Sequence, residues 1–148
     1  MTLDQVPVRL LGPVDLDRAR DVACAVLAAE QAAATRAQEL TVDYALRREQ
    51  FSRAIGSFQA LKHRITDLYV LVETARSAAY AAPDSPRLVV VAKVHCSKAL
   101  TTVAAEMIQL PGGIAVTCEH PVHRYLKRAH ATAQLLGPPH HHLSRVHP

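Results

Sequence analysis

The stretch Tyr44–Gln59, YALRREQFSRAIGSFQ, sets how the rest of the chain is laid out. A helix arriving from the N-terminal side ends in the charged turn Arg47-Arg48-Glu49-Gln50, meets the aromatic Phe51 and is interrupted at Gly56-Ser57. A second helix opens on Phe58-Gln59. An arginine at such a junction carries a planar, permanently charged fork that suits phosphate oxygens. The junction is therefore the first candidate for gripping a phosphate-bearing ligand.

Upstream of it, residues 1–14 read as an extended lead-in closed by Gly12-Pro13, after which Asp15 or Asp17 can cap a helix. Small and apolar positions such as Ala23, Val26, Leu27, Ala34 and Ala37 recur at helical spacing as far as about Arg48. They predict one helix of some thirty residues, roughly 45 Å long. Downstream, Phe58, Leu61, Ile65, Leu68, Val72 and Ala75 repeat at alternating threes and fours, the seam of an antiparallel bundle, over a helix from about Ser57 to Ala82. Pro83-Asp84-Ser85-Pro86 ends it and starts a third helix reaching Leu110, and Pro111-Gly112-Gly113 is a firm break. A fourth helix is expected from about Glu119 to Leu136, stopped by Gly137-Pro138-Pro139. The expectation is an all-α, up-and-down four-helix bundle over residues 15–137, followed by a loose Pro/His-rich tail, residues 138–148.

Composition agrees and excludes several classes. The 148 residues are 49% hydrophobic but only 4% aromatic, with no tryptophan and five glycines, which favours alanine-rich helices over sheet. The net charge of +4 is spread along the chain without a basic run, which fits a small anionic ligand and gives no motif for nucleic acid. Cys24, Cys96 and Cys118 are odd in number, far apart and without a CxxC pairing, so they read as reduced, buried thiols of a cytoplasmic protein. No uninterrupted apolar run is long enough for a membrane span, and MTLDQVPVRLL has no export-signal pattern.

Four motifs then resemble one family. Tyr44-Ala45-Leu46-Arg47-Arg48-Glu49-Gln50-Phe51 resembles the Y-x-x-x-R-x-Q-F-G signature of acyl-CoA dehydrogenases, and Ile55 to His63 their I-x-x-F-Q-x-x-K-H stretch. Gln109 to Ile114 resembles their Q-x-x-G-G-x-G turn, and Thr117 to Tyr125 the T-x-E-x-P-x-H-x-Y continuation. The resemblance covers about residues 15–137 and concerns the C-terminal helical domain alone. It implies a domain that grips the ADP half of FAD belonging to a neighbouring subunit. Arg48 would then pair with the pyrophosphate, and Gln50, Phe51 and Gln59 would flank the adenosine end. Gln109, Gly112 and Gly113 would bring backbone amides close to the cofactor. Ser52 stands where the family has glycine, and Pro111 and Ala115 interrupt the glycine-rich turn.

The family's catalytic glutamate is the larger departure. In many members it lies in an E-G-T segment as the fourth helix ends, where this chain reads Gln134-Leu135-Leu136-Gly137-Pro138. Another branch places the base at the start of the domain's first helix, where Asp17 and Asp21 stand and are better read as helix caps. No catalytic residue is therefore assigned. The flavin-holding β-domain of the family is also missing from this stretch of sequence.

Three functions follow as expectations. The first is an acyl-CoA dehydrogenase-like module completing an FAD and acyl-thioester site with another chain. The second is a flavin-free cyclase or isomerase acting on a hydrophobic or thioester-linked substrate in a cavity of the bundle or dimer interface. The third is a non-catalytic oligomerisation module. The long small-residue stripe implies self-association, and the resemblance implies a homo-oligomer or a hetero-oligomer with a fuller acyl-CoA dehydrogenase-like subunit. His120 and His123 beside Cys118 and Glu119 fall inside the family motif, so no metal site is expected. His140, His141 and His142 read as a solvated tail, His63 as a hydrogen-bonded group at the bundle edge, and Lys93 and Lys98 as surface charges.

Overall fold

The computed structural model describes residues 15–32, 34–110 and 122–144. Asp15 starts the first helix, α1 (Leu16–Ala32), its Oδ1 accepting the Arg18 amide at 3.0 Å, while Asp17 pairs with Arg20. α2 (Thr35–Arg47) follows, then a hairpin of β1 (Glu49–Gln50) and β2 (Arg53–Ala54) and a short 3-10 turn, Ile55–Ser57. α3 (Gln59–Ala81) returns along the bundle, a second 3-10 turn spans Ala82–Asp84, and α4 (Pro86–Gln109) runs back. Ser85 caps α4 by accepting the Leu88 amide, and Pro86, which has no amide to satisfy, occupies the first turn. α5 (Val122–Gln134) and the short α6 (Pro139–Leu143) complete the described chain. The all-α bundle is as expected.

α4 is the axis of the molecule, with α1, α3, α5 and α6 all packed against it. Two clusters lie along it. One gathers Leu68, Val72, Leu100, Val103 and Met107, and the other joins Cys24 and Ala28 of α1 to Ala75, Val89, Cys96 and Ala99. α4 has the length and apolarity of a membrane span, but its apolar faces are occupied by the other helices.

Five expectations are corrected. The single thirty-residue helix is two helices, parted at residues 33–34. α1 buries Cys24 and Ala28, whereas α2 buries Ala37, Gln38, Thr41 and Ala45. At about 100° per residue these two faces differ by roughly 100° around a continuous helix, so the break resets the phase and both faces reach the core. Val26, counted on the inner stripe, is 56% exposed. Lys93 is not a surface charge but wholly buried, because it lies on the side of α4 turned toward α5, whose last carbonyl oxygens accept its Nζ. The tail is not loose over residues 139–143: they form α6, and His142 is buried with Nε2 3.2 Å from the Gly137 carbonyl oxygen. His63 is exposed and makes no hydrogen bond among the described residues, since its position on α3 faces away from the bundle. The expected start of the fourth helix at Glu119, the Pro111-Gly112-Gly113 break and Cys118 lie outside the described residues.

Cys24 and Cys96 are both buried thiols, as read from the sequence. Burial pushes the Cys96 thiol up to about 11, which keeps it protonated at neutral pH.

Candidate functional site

Arg48 ends α2 with extended backbone (φ −76°, ψ 123°), and its amide still donates to the Tyr44 carbonyl oxygen. Its own carbonyl oxygen accepts the Ile55 amide at 2.7 Å, which closes the base of the hairpin. Glu49 pairs with Ala54 and Gln50 with Arg53, leaving Phe51 and Ser52 as a two-residue loop. Both loop residues are left-handed, at φ 53° and 60°, the geometry that matches the twist of a tight hairpin and favours glycine. That is the physical sense of Ser52 as a departure from the family pattern. Ser52→Gly is expected to raise stability by about 0.5–1 kcal/mol through relief of a left-handed side chain. Denaturant unfolding measures it, and an unchanged midpoint would show that the loop carries no such strain.

The hairpin is seated on the bundle by packing as well as by hydrogen bonds. A Cβ on Gly56 would lie 3.0 Å from the Ala45 carbonyl oxygen, so only glycine lets the 3-10 turn rest on α2. Phe58, at the entry to α3, meets the Phe51 ring edge-on at 6.1 Å between centroids, and the Arg53 guanidinium lies 4.0 Å above its face. Phe51 nevertheless remains 87% exposed, an aromatic held outward on a fixed loop.

Three neighbouring arginines are engaged. Arg47 pairs with Asp43 at 2.6 Å, Arg64 with Glu106, and Arg53 is on Phe58. Arg48 is exposed and has no ion-pair or hydrogen-bond partner among the described side chains. The Arg64–Glu106 pair also shows that the start of α3 and the end of α4 share one end of the bundle. Exposed Gln59 and exposed Gln109 therefore lie at the end that carries Arg48, Gln50 and Phe51. Gly112 and Gly113 are outside the described residues.

The corner after α5 carries no carboxylate. It turns through Leu136 (φ 62°) and Gly137 (φ 103°), with Leu135 and Leu136 about half-exposed. At the start of α1, Asp17 and Asp21 line a surface groove of ≈ 660 Å³ with Val22, Val26, Pro83 and Val89. The sequence reading missed two things: the hairpin, since strands of two residues leave no periodic signal, and the buried Lys93.

An outward aromatic, a free guanidinium and amide side chains at one end of a helical bundle suit the phosphate and adenosine parts of a nucleotide. Comparison with known proteins gives the family. The family model for the acyl-CoA dehydrogenase C-terminal domain matches residues 20–147, and the chain belongs to that family. It is 54% identical over 129 residues to acyl-CoA dehydrogenase IpdE2 of Mycobacterium tuberculosis, covering 85% of this chain and 41% of the relative. Identity to IpdE2 of Mycolicibacterium smegmatis is 50%, over 85% of this chain and 42% of that protein. A structure of a variant of the Tcur3481–Tcur3483 steroid ACAD superposes with a TM-score of 0.88 at 36% identity, over 98% of this chain and 42% of that one. The ChsE4–ChsE5 complex of Mycobacterium tuberculosis gives 0.77 at 34% identity, over 86% and 37%. The chain thus spans about two-fifths of the length of the relatives it matches. The family is one of flavoprotein oxidoreductases whose members use FAD.

Proposed function

We propose that this chain is an acyl-CoA dehydrogenase-like helical module that completes an FAD and acyl-thioester site together with another chain in the cytoplasm. The observation that carries the reading is Arg48, a guanidinium without a partner among the described residues, held at the foot of a hairpin closed by main-chain hydrogen bonds. Its fork suits the pyrophosphate of FAD. Phe51, Gln50 and Gln59 flank the adenosine end, and Gln109 approaches from α4 with Gly112 and Gly113 beyond it. Bound FAD supplies the acceptor for a hydride from the acyl chain. The residues described here bind and orient; proton abstraction falls to a carboxylate of the complementing chain, since Leu136 stands where many members of the family have theirs. Two of the similar structures are named for two components, Tcur3481–Tcur3483 and ChsE4–ChsE5, which supports assembly with a fuller acyl-CoA dehydrogenase-like subunit. The exposed Leu46, Tyr69, Val70 and Tyr80 give surface for a homo-oligomer as well.

The test is the visible absorbance of bound flavin in the chain purified alone with FAD, and purified with the products of neighbouring genes. Yellow protein only in the second preparation is the expected result. Colourless protein in both would overturn it. That outcome would turn attention to a flavin-free reaction at the groove beside Asp17 and Asp21, or to a purely assembling role.

A further inference from the structure

The ammonium of Lys93 is buried at 0% exposure and has no use in the site described so far. Its Nζ donates to the Thr132 carbonyl oxygen at 2.8 Å, with the Ala133 carbonyl oxygen and Ser97 Oγ each at 3.4 Å. Thr132 and Ala133 belong to the last turn of α5, whose final carbonyls have no partner within their own helix. Lys93 therefore caps α5 from the side, and the negative end of that helix offsets part of the cost of burying the charge. No carboxylate pairs with it among the described residues. The groups facing it are the thiols of Cys24 from α1 and Cys96 from α4, with the hydroxyl of Ser97. On α6, the buried His142 ring is bonded to the Gly137 carbonyl oxygen. A methionine would fill the same space without that cost, so what a cation gains here is its grip on the carbonyls.

One turn beyond those carbonyls the backbone passes through left-handed Leu136 and then Gly137. A leucine in that conformation persists only where its surroundings over-determine it. Here the restraints are the Gly137 amide on the Gln134 carbonyl oxygen at 3.2 Å, the His142 ring on the Gly137 carbonyl oxygen, and Lys93 beneath.

We propose that Lys93 is a positioning residue: by holding the last carbonyls of α5 it fixes the Leu135–Leu136–Gly137 corner, and so the apolar side chain that this module presents to the site. The last clause rests on the function proposed above; the hold on the corner does not.

Nuclear magnetic resonance of the whole chain tests it without flavin or partner, so its failure is separate from failure of the flavin reading. Burial holds the Lys93 ammonium below its ordinary value, whereas Cys96 titrates near 11, so the two are ordered in pH. The Leu136 and Gly137 amide signals are expected to move in step with the Lys93 side chain as it loses its proton, in the native chain and in Cys24→Ala alike. In Lys93→Met these amides are expected to exchange about tenfold faster or more, with the α3 core amides unchanged. Corner amides that stay still while Lys93 titrates would overturn the proposal, and that titration decides it even where Lys93→Met fails to fold.

Discussion

Arg48→Ala is expected to lower flavin retention in the assembled complex by about 10- to 100-fold while leaving the helical circular dichroism and unfolding midpoint unchanged. A charge-assisted contact to phosphate contributes about 1.5–3 kcal/mol, and Arg48 is exposed with no described partner, so nothing in the fold depends on its side chain. Arg47→Ala is the control: that guanidinium is paired with Asp43, and its loss is expected to change retention little. Equal flavin retention in the native and Arg48→Ala complexes would remove the pyrophosphate contact from the proposed site.

Gly56→Val is the second large effect and works through position instead of charge. Its Cβ would press on the Ala45 carbonyl oxygen at 3.0 Å, a main-chain atom inside α2 that cannot swing aside. The hairpin must then lift from its seat, at a cost of about 1–3 kcal/mol, and Arg48 and Phe51 lift with it. Both the unfolding midpoint and flavin retention are expected to fall, whereas Arg48→Ala lowers retention alone. A Gly56→Val chain of native stability would mean that the 3-10 turn has room to shift.

The contrast between these two positions also shows what the sequence made legible. Arg48, Gln50, Phe51 and Gln59 could be named from their order, and the structure does bring them together at one end with Gln109. The bundle could be read from the threes and fours of α3, because Leu68, Val72 and Ala75 do face inward. The division of α1 from α2 could not. Alanine fits every face of a helix and carries no stop signal, so only the packing partners on α4 dictate where the phase must change. Lys93 was hidden for a related reason: a lysine is most often a solvated charge, and its acceptors lie 39 and 40 residues away on another helix. His142 was read as tail because a single helical turn after two prolines has no periodicity to show.

Among the described residues, ten of the 20 buried hydrophobic side chains are alanine, and this has a consequence for how such a domain can vary. Alanine offers almost nothing to trim, so nearly every change at those positions adds volume and forces neighbouring helices apart. The interior behaves as a set of spacers with a lower limit and no slack. Substitutions are then expected to be tolerated on the outer faces and in the loops, while the alanine spacers hold the separation between the hairpin and the α5–α6 corner, a fixed gauge on which different surfaces can be mounted.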